Sequence, residues 1–252
     1  MELNLSGKRA LVTGGSRGIG LSICRALIAE GATVTTCARA QQSLDEALDE
    51  LGPKLRGTAL DVRDDAALAQ WVDDAAAAMG GIDILVSNVS TRVDAKSPGW
   101  WHDTFDADLM QHVRLKTLAL PHVLGSEAGA MVFLASIAAV MTTLPPYEEA
   151  YGAMKAGLVN LVGQWGAVLG PKKVRVNAVS PGPIDFPGGW WDGVRQANPD
   201  AYKRAGAFAA LGRLGMPDEV AAAVVWLASP AASFVTGANL RVDGGLVKTA
   251  NF

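Results

Sequence analysis

The sequence predicts a doubly wound α/β fold, in which helices cover both faces of a seven-stranded parallel sheet. Seven short apolar stretches alternate along the chain with longer segments whose apolar residues recur at helical spacing. The short stretches are nearly all apolar, as expected for strands that are buried on both faces of a sheet. The 252 residues contain no internal repeat, low-complexity segment or evident linker, so we expect a single domain over residues 1–252.

The predicted strands share this apolar character and end near glycine, serine or aspartate. In chain order they are RALVTG (9–14), ATVTTCA (32–38), RGTALDV (56–62), IDILVSN (82–88), AMVFLAS (130–136), VRVNAVS (174–180) and ANLRVDG (238–244). Segments such as GLSICRALIAEG (20–31) and DDAALAQWVDDAAAAMG (64–80) read as the intervening helices, with glycine at the carboxyl end. The Gly/Pro-rich segment 183–208 interrupts the alternation, and its length is typical of a substrate lid or binding loop.

Composition excludes several classes of function. The net charge is −3 and no dense group of lysines or arginines occurs, which argues against a nucleic-acid-binding protein. Cys24 and Cys37 are the only cysteines and lie within apolar stretches, so we expect free thiols in a reducing compartment. No secretory signal is evident, and no uninterrupted apolar stretch approaches 18 residues. We therefore predict a cytoplasmic protein that binds neither nucleic acid nor membrane and holds no metal.

A glycine-rich turn follows the first predicted strand. The segment TGGSRGIG (13–20) leads directly into a helix, and Gly14, Gly18 and Gly20 permit a tight turn with a close backbone approach. The spacing is GxxxGxG rather than GxGxxG, and an ordinary βα turn is the alternative interpretation. The position after the first strand favours a dinucleotide pyrophosphate bound at the helix N-terminus.

A tyrosine and a lysine share one face of a later helix. In EAYGAMKAG (149–157), Tyr151 and Lys155 are four positions apart and are therefore helical neighbours. They could form a rim pair in which both side chains pack over the surface, or they could converge on a phenol whose proton moves during a reaction. The motif alone does not decide between these interpretations.

The order of the motifs resembles that of the short-chain dehydrogenase/reductase family. TGxxxGxG, a serine, YxxxK and a PG pair after the next strand occur in sequence, and the ending RLGMPDEVAAAVVWLASPAASFVTGANLRVDGG is also similar to that family. The resemblance spans essentially the whole chain and implies a Rossmann-like oxidoreductase that interconverts a ketone and a secondary alcohol. It implies that Tyr151 is the acid/base, that Lys155 lowers the pKa of the phenol and binds the nicotinamide ribose, and that Ser136 binds the substrate oxygen. Thr142 and Thr143 are nearby alternatives to this serine.

The resemblance also implies a set of cofactor-binding positions. They are Gly14, Ser16, Arg17, Gly18, Ile19, Gly20, Arg39, Asp61, Val62, Asn88, Tyr151, Lys155, Pro181, Gly182 and Ile184. The second strand ends at Ala38 where an NAD-binding protein usually has an acid, and Arg39 follows it, so we expect NADP(H) rather than NAD(H). Phe186 stands where the family usually has a threonine.

His112 aligns with a family asparagine that holds a water between Lys155 and bulk solvent. An imidazole can donate and accept, so His112 could serve this relay and confer a pH dependence that an asparagine variant would lack. Alternatively, His112 packs or caps without a part in the mechanism.

Aromatic residues indicate a mainly apolar substrate, cyclic or aromatic. Phe186, Trp190 and Trp191 lie in the lid segment, and we expect them to bind substrate together with Ser136 and Tyr147. Trp100, Trp101 and Met141 are expected in loops after strands, where they line either the substrate site or a subunit interface. The family resemblance implies a homo-oligomer, a tetramer or dimer formed through residues 149–170 and 217–252.

Other functions remain open at this point. The alternatives are a 3-oxoacyl-(acyl-carrier-protein) reductase, a non-catalytic dinucleotide-binding sensor or scaffold, and an epimerase or dehydratase. A sensor would not need the proton donor, and epimerases of this fold are generally longer because they carry a sugar-nucleotide domain.

Overall fold

The structure, a computed structural model, describes residues 1–90, 93 and 97–249. Within these residues a seven-stranded sheet lies between two layers of helices. The strands are β1 (Arg9–Thr13), β2 (Thr33–Ala38), β3 (Leu55–Ala59), β4 (Ile84–Ser87), β5 (Gly129–Leu134), β6 (Val174–Pro181) and β7 (Asn239–Val242). All neighbouring strands are parallel, in the order β3-β2-β1-β4-β5-β6-β7. The predicted fold class and the number of strands are confirmed.

Helices cover both faces of this sheet. They are α1 (Gly18–Ala29), α2 (Gln41–Leu51), α3 (Asp65–Met79), α4 (Trp100–Phe105), α5 (Gln111–Val123), α6 (Glu149–Leu169), α7 (Trp190–Ala197), α8 (Pro199–Phe208) and α9 (Pro217–Ala228). A π-helical turn, Asp106–Met110, joins α4 to α5. The order of the strands reverses between β1 and β4, and the crevice at such a switch point is where doubly wound sheets bind ligands.

Two apolar clusters, one on each face, hold the layers together. On one face α1 and α9 pack side by side, with Ile23 and Val224 among their fully buried residues. On the other face α3, α5 and α6 contribute Trp71, Leu115 and Val162. Both clusters receive side chains from the central strands, and every residue of β5 is buried. The carboxyl ends of β1, β4, β5 and β6 are thereby fixed at one edge of the sheet.

Several boundaries differ from the prediction. Strand β3 is an edge strand in which only Leu55 is buried, and it ends at Ala59, so Asp61 and Val62 lie beyond it. Strand β5 ends at Leu134, which places Ser136 two residues past the strand. The sequence pattern places the carboxyl ends of β3 and β5 too late, because apolar residues continue beyond the last hydrogen bond between the strands.

The lid segment and the Trp pair are more regular than we expected. Residues 183–208 contain two helices, α7 and α8, rather than an irregular loop. Trp100 and Trp101 open α4 and do not lie in a loop, which corrects the prediction made for them. Cys24 and Cys37 are buried free thiols. No helix in the described part of the chain is long and apolar enough to cross a membrane.

Candidate active site

The glycine turn after β1 forms a site for an anion. Gly14 has φ +71° and Gly18 has φ +54°, which other residues rarely adopt. A Cβ on Gly20 would collide with the carbonyl oxygen of Gly14, so the turn needs glycine there as well. Helix α1 begins at Gly18, and its N-cap residue, Arg17, makes no side-chain capping bond. The first backbone N–H groups of α1 are therefore available to a pyrophosphate, and the turn fits the cofactor that the sequence predicts.

Two side chains from segments that follow other strands support this turn. Asn88, directly after β4, donates its side-chain amide to the carbonyl of Thr13 at 3.0 Å and to that of Gly14 at 3.3 Å. Phe186 lies against the turn from the other side, since a Cβ on Gly18 would be 2.7 Å from its ring. We expected Phe186 in the substrate site, but its ring packs on the phosphate turn.

The end of β2 is basic and carries no acid. Ala38 is the last residue of the strand, and Arg39, which follows, is exposed, as is Arg17. The hydroxyl of Ser43, in the first turn of α2, lies 3.3 Å from the hydroxyl of Ser16 in the glycine turn. Two cations and two hydroxyls thus border the position where the adenosine ribose of a dinucleotide would lie.

Asp61 is positioned by an ion pair. Arg63 donates to its carboxylate from Nε at 3.1 Å and from a terminal nitrogen at 2.6 Å. These hydrogen bonds, together with the nearby Arg39 cation, hold the pKa of Asp61 below its usual range. The neighbouring Val62 is buried. The carboxylate is therefore ionised and oriented before any ligand binds.

Three predicted catalytic residues gather near the end of β5. Ser136 accepts a hydrogen bond from the backbone N–H of Ala138 at 3.1 Å, which orients its oxygen and leaves its own proton free to donate. On α6, the ammonium of Lys155 lies 5.6 Å from the ring centroid of Tyr151. The same ammonium donates to the carbonyl of Leu134, the last residue of β5, at 3.2 Å. This bond ties α6 to the strand that leads to the serine.

The ammonium of Lys155 is fully buried within a polar cluster. Asp108, in the π-helical turn, lies 3.2 Å away and is also fully buried. Ser90 donates its hydroxyl to the same oxygen of this carboxylate at 2.6 Å. His112, one turn further along, has its Nε2 at 3.5 Å from the ammonium. Lysine is therefore held on the inner side of α6 by three separate acceptors.

His112 is a neutral imidazole in this environment. Burial lowers the pKa of its ring well below the usual range, and the Lys155 cation lowers it further. Because an ammonium can only donate, Nε2 accepts and the proton lies on Nδ1, which donates to the hydroxyl of Ser87 at 2.6 Å. The side chain has no exposed surface and so does not itself reach solvent. This removes the basis for the expected pH dependence of a His112 relay, although the residue does lie beside Lys155 as we inferred.

Sequence reasoning missed Asp108, Ser90 and Gln111. Gln111 is fully buried and donates to the carbonyl of Val89 at 2.9 Å. One signal was available, because Asp108 precedes His112 by four positions and a helical pattern puts both on one face. The family resemblance singles out His112, but the carboxylate of Asp108 lies closer to the Lys155 ammonium, at 3.2 Å against 3.5 Å.

The PG turn after β6 joins the site to the lid. The N–H of Gly182 donates to the carbonyl of Val242 at 2.9 Å, which continues the pairing of β6 with β7. Pro181 is the last residue of β6, and Ile184 is buried and bridged to Gly215. The backbone of this turn is thus fixed on the side that faces the chain's C-terminal segment.

An ionic network anchors the two lid helices. Asp185 accepts a hydrogen bond from the hydroxyl of Tyr202 on α8 at 2.6 Å, and this bond raises the pKa of the phenol. Arg195 on α7 pairs with Asp192 and lies 3.5 Å from Asp185. The N–H of Gly188 donates to Asp192 at 2.8 Å. This network connects both helices to the segment that follows the PG turn, and sequence reasoning did not find it.

Exposed aromatic side chains occur on the elements that follow three adjacent strands. Trp101 on α4, after β4, is 45% exposed, and Tyr147, in the loop after β5, is 65% exposed. Trp190, at the start of α7 after β6, is 56% exposed, and Trp191 next to it is half-buried. Because parallel strands end at one edge, these aromatic rings belong to the same edge of the sheet as Tyr151.

Two cavities lie near the site. One of about 430 Å³ contacts Gly152, Ala153 and the loop 138–146. The other, of about 460 Å³, lies between segments 205–219 and 240–246, beside the lid.

Comparison with known proteins agrees with this geometry. A protein-family model described as Enoyl-(Acyl carrier protein) reductase matches residues 14–247. The isoepoxydon dehydrogenase of Penicillium expansum is 36% identical over 253 residues, covering 98% of this chain and 97% of that protein. The 3-oxoacyl-(acyl-carrier-protein) reductase of Vibrio harveyi is 33% identical over 248 residues, covering 97% and 99%.

A solved structure is similar over the whole chain. The apo form of a short chain oxidoreductase from Pseudomonas aeruginosa PAO1, described as containing an atypical catalytic center, superimposes with a TM-score of 0.90 at 30% identity. The match covers 98% of this chain and 99% of that one.

Proposed function

This chain belongs to the short-chain dehydrogenase/reductase family, and we propose that it is an NADP(H)-dependent enzyme that interconverts a ketone and a secondary alcohol. The substrate we propose is a mainly apolar small molecule, cyclic or aromatic. The observation that carries the proposal is the pairing of Tyr151 with the buried cation of Lys155, 5.6 Å from its ring, on the helix that Lys155 ties to the end of β5, two residues before Ser136.

Tyr151, Ser136 and Lys155 have separate roles in the reduction of a carbonyl group. When bound, a nicotinamide cofactor supplies the hydride that the carbonyl carbon receives. Tyr151 gives its phenolic proton to the carbonyl oxygen, and Ser136 donates a hydrogen bond to that oxygen while negative charge develops on it. Lys155 supplies positive charge beside the phenol, which favours the phenolate that remains. In the opposite direction the phenolate takes the proton of the alcohol.

The charges at the end of β2 support NADP(H) as the cofactor. Arg39 and Arg17 are exposed cations, and an arginine fork suits a 2′-phosphate. Ala38 stands at this strand end in place of an acid that would repel that phosphate. Arg39→Ala should therefore lower kcat/KM with NADPH by about 10- to 100-fold, since a hydrogen bond to a charged group contributes roughly 1.5–3 kcal/mol. An equal loss with NADH would contradict this assignment.

The exposed aromatic residues support an apolar substrate. Trp190, Trp101 and Tyr147 offer large rigid surfaces at the edge where the phenol of Tyr151 lies. The similarity to an isoepoxydon dehydrogenase supports a small free substrate. The similarity to 3-oxoacyl-(acyl-carrier-protein) reductases favours a second candidate, reduction of a 3-oxoacyl group on a carrier protein.

A substrate panel with both cofactors tests the proposal. Purified enzyme is assayed with cyclic and aromatic ketones, the corresponding alcohols and a 3-oxoacyl-(acyl-carrier-protein), each with NADPH or NADH. We expect the highest kcat/KM with a free cyclic or aromatic ketone and NADPH. Tyr151→Phe should lose about 10²–10⁴-fold in kcat while keeping its affinity for NADPH, because only the transferable proton is removed. Preference for the carrier-bound substrate would favour the second candidate, and full activity of Tyr151→Phe would refute the acid/base role.

We also propose that the enzyme is a homo-oligomer that associates through α6. The face of this helix that bears Ala153, Ala156 and Asn160 is exposed, and small residues allow a second helix to approach closely. Val168 on the same helix is 65% exposed although it is apolar. Light scattering at assay concentration should give a multiple of 26.2 kDa, and a mass of one chain would refute the association.

A further inference from the structure

Arg63 engages both oxygens of the Asp61 carboxylate. Its backbone N–H donates to one oxygen at 3.0 Å, and its guanidinium donates to that oxygen from Nε at 3.1 Å and to the other from a terminal nitrogen at 2.6 Å. The side chains of Arg63 and Asp61 are 39% and 34% exposed, so the pair lies at the surface. A carboxylate accepts about four hydrogen bonds, so these three N–H groups leave it room for about one more from a ligand.

This ion pair lies beside Arg39. The last residues of β2 and β3 are paired, and the carbonyl of Ala38 accepts the N–H of Leu60 at 2.9 Å. The chain therefore leaves both strands side by side, and the Arg39 cation adds to the effect of Arg63 in lowering the pKa of Asp61. Arg39 itself forms no salt bridge within the described part of the chain, since the hydrogen bonds of Asp61 come from Arg63.

The other nearby carboxylates do not replace Asp61 as the partner of Arg63. The pKa of Arg63 is raised mainly by its hydrogen bonds to Asp61, and to a smaller extent by the charges of Asp103 and Asp106. Asp106 is paired with Arg114. Among the described residues, the guanidinium of Arg63 makes its hydrogen bonds to Asp61 alone.

We propose that Arg63 is a specificity-determining residue, which favours NADP(H) by offsetting the charge of Asp61 and so leaving Arg39 free for the 2′-phosphate. The inference rests on the proposed function for the cofactor. A 2′-phosphate carries roughly −1.5 to −2 charges at neutral pH, so a bare carboxylate next to it would repel it. An unpaired Asp61 would also attract the guanidinium of Arg39, because carboxylates and arginines form strong charge-assisted hydrogen bonds. NADH has an uncharged hydroxyl at this position, so both effects weaken its binding much less.

The test measures the binding of NADPH and of NADH by calorimetry, at low ionic strength and without substrate. Arg63→Ala should weaken the binding of NADPH about 5- to 20-fold more than that of NADH, since like charges repel and water screens part of this repulsion at an exposed site. Arg63→Lys keeps the cation, so the ratio of the two dissociation constants should stay within about threefold of wild type. Arg25→Ala is the matched control, because Arg25 pairs with Glu50 in the last turn of α2, and it should leave the ratio unchanged.

A double variant separates the offsetting of a charge from direct contact with the phosphate. If Arg63 acts through Asp61, its loss matters little once the carboxylate is gone. The ratio for Asp61→Asn combined with Arg63→Ala should then lie within about threefold of that for Asp61→Asn alone. An undiminished loss of NADPH preference in the double variant would show that Arg63 binds the phosphate itself, which overturns the inference. An unchanged ratio in Arg63→Ala overturns it as well.

Binding does not require turnover, so the inference and the proposed function can fail separately. If no ketone is reduced, or if wild type binds NADH more tightly than NADPH, the proposed function fails. The change in ratio caused by Arg63→Ala still decides the inference in either case. Exposed ion pairs contribute little to folding, so Arg63→Ala should fold. Arg63→Gln, for which the same change in ratio is expected, is used if it does not.

Discussion

Replacing His112 with asparagine tests the charge state of the buried cluster. His112 is fully buried, and both burial and the Lys155 cation lower its pKa well below the usual range. In the unfolded chain the ring titrates near its ordinary pKa of about 6.5. The unfolded state therefore takes up a proton on acidification that the folded state does not. Stability contributed by the neutral ring is fully present above the unfolded pKa and is lost as the pH falls below it.

The size of the effect follows from this linkage. For a ring that stays neutral in the folded state, lowering the pH from 7.5 to 5.5 reduces the free energy of unfolding by up to about 1.4 kcal/mol. For a chain of this length, that corresponds to roughly 3–6 °C in Tm. The His112→Asn variant has no titrating group at this position, so its free energy of unfolding does not decrease for this reason. The substitution also changes the stability at every pH, so only the pH dependence of the two proteins is compared.

The assay is thermal unfolding of both proteins at a series of pH values and one protein concentration. His102 and His122 are present in both proteins, so their titration cancels in the comparison. The difference in Tm between the two proteins should change by a few degrees between pH 7.5 and 5.5, with wild type losing more. Parallel curves would show that His112 titrates normally in the folded state, and the charge assignment of the cluster would then be wrong. The pH–rate profiles should coincide between pH 6.5 and 8, because the folded ring does not change charge there.

Two further substitutions test the cluster and the phosphate turn. Lys155→Met leaves the buried carboxylate of Asp108 without its counter-ion and should cost about 3–5 kcal/mol in urea unfolding, whereas Lys116→Met, at a half-buried surface lysine, should cost much less. Equal losses would contradict the ion pair. Gly20→Ala places a Cβ against the backbone of the phosphate turn and should weaken NADPH binding at least about tenfold in calorimetry by displacing that turn. The control is Gly170→Ala, whose Cβ meets open space and which should bind NADPH normally.

The fold could be predicted because periodicity and burial agree along the chain. Each central strand is short and apolar, and the helical segments between them show apolar residues at a different spacing. The ends were less certain: Ser136 and Asp61 continue their strands in the sequence pattern but lie beyond the last paired residue. Strand ends depend on hydrogen bonds to a neighbouring strand, which the sequence of one strand does not contain.

The positions of the aromatic residues depend on tertiary contacts that the local sequence pattern does not contain. Phe186 was assigned to the substrate because aromatic rings in a lid segment commonly line a cleft, but its ring packs against Gly18. A glycine with no side chain leaves room for a ring from a distant segment, and neither residue alone reveals that contact. Trp100 and Trp101 likewise form the start of α4. No side chain caps this helix, so the sequence lacks the usual signal of a helix N-terminus there.

The neighbours of Lys155 differ in how far they lie from it in the sequence, and this decides which of them could be predicted. Tyr151 is four positions away on the same helix, so geometry alone places the two together. Asp108 is 47 positions away by sequence number and lies in a π-helical turn, whose wider winding changes the direction in which a side chain points. The periodicity of apolar residues does not predict such a turn. A buried carboxylate needs a cation, however, and a buried lysine needs an anion, so the pair is recognisable once burial is known. The motif that contains Tyr151 and Lys155 therefore does not contain the carboxylate that pairs with its lysine.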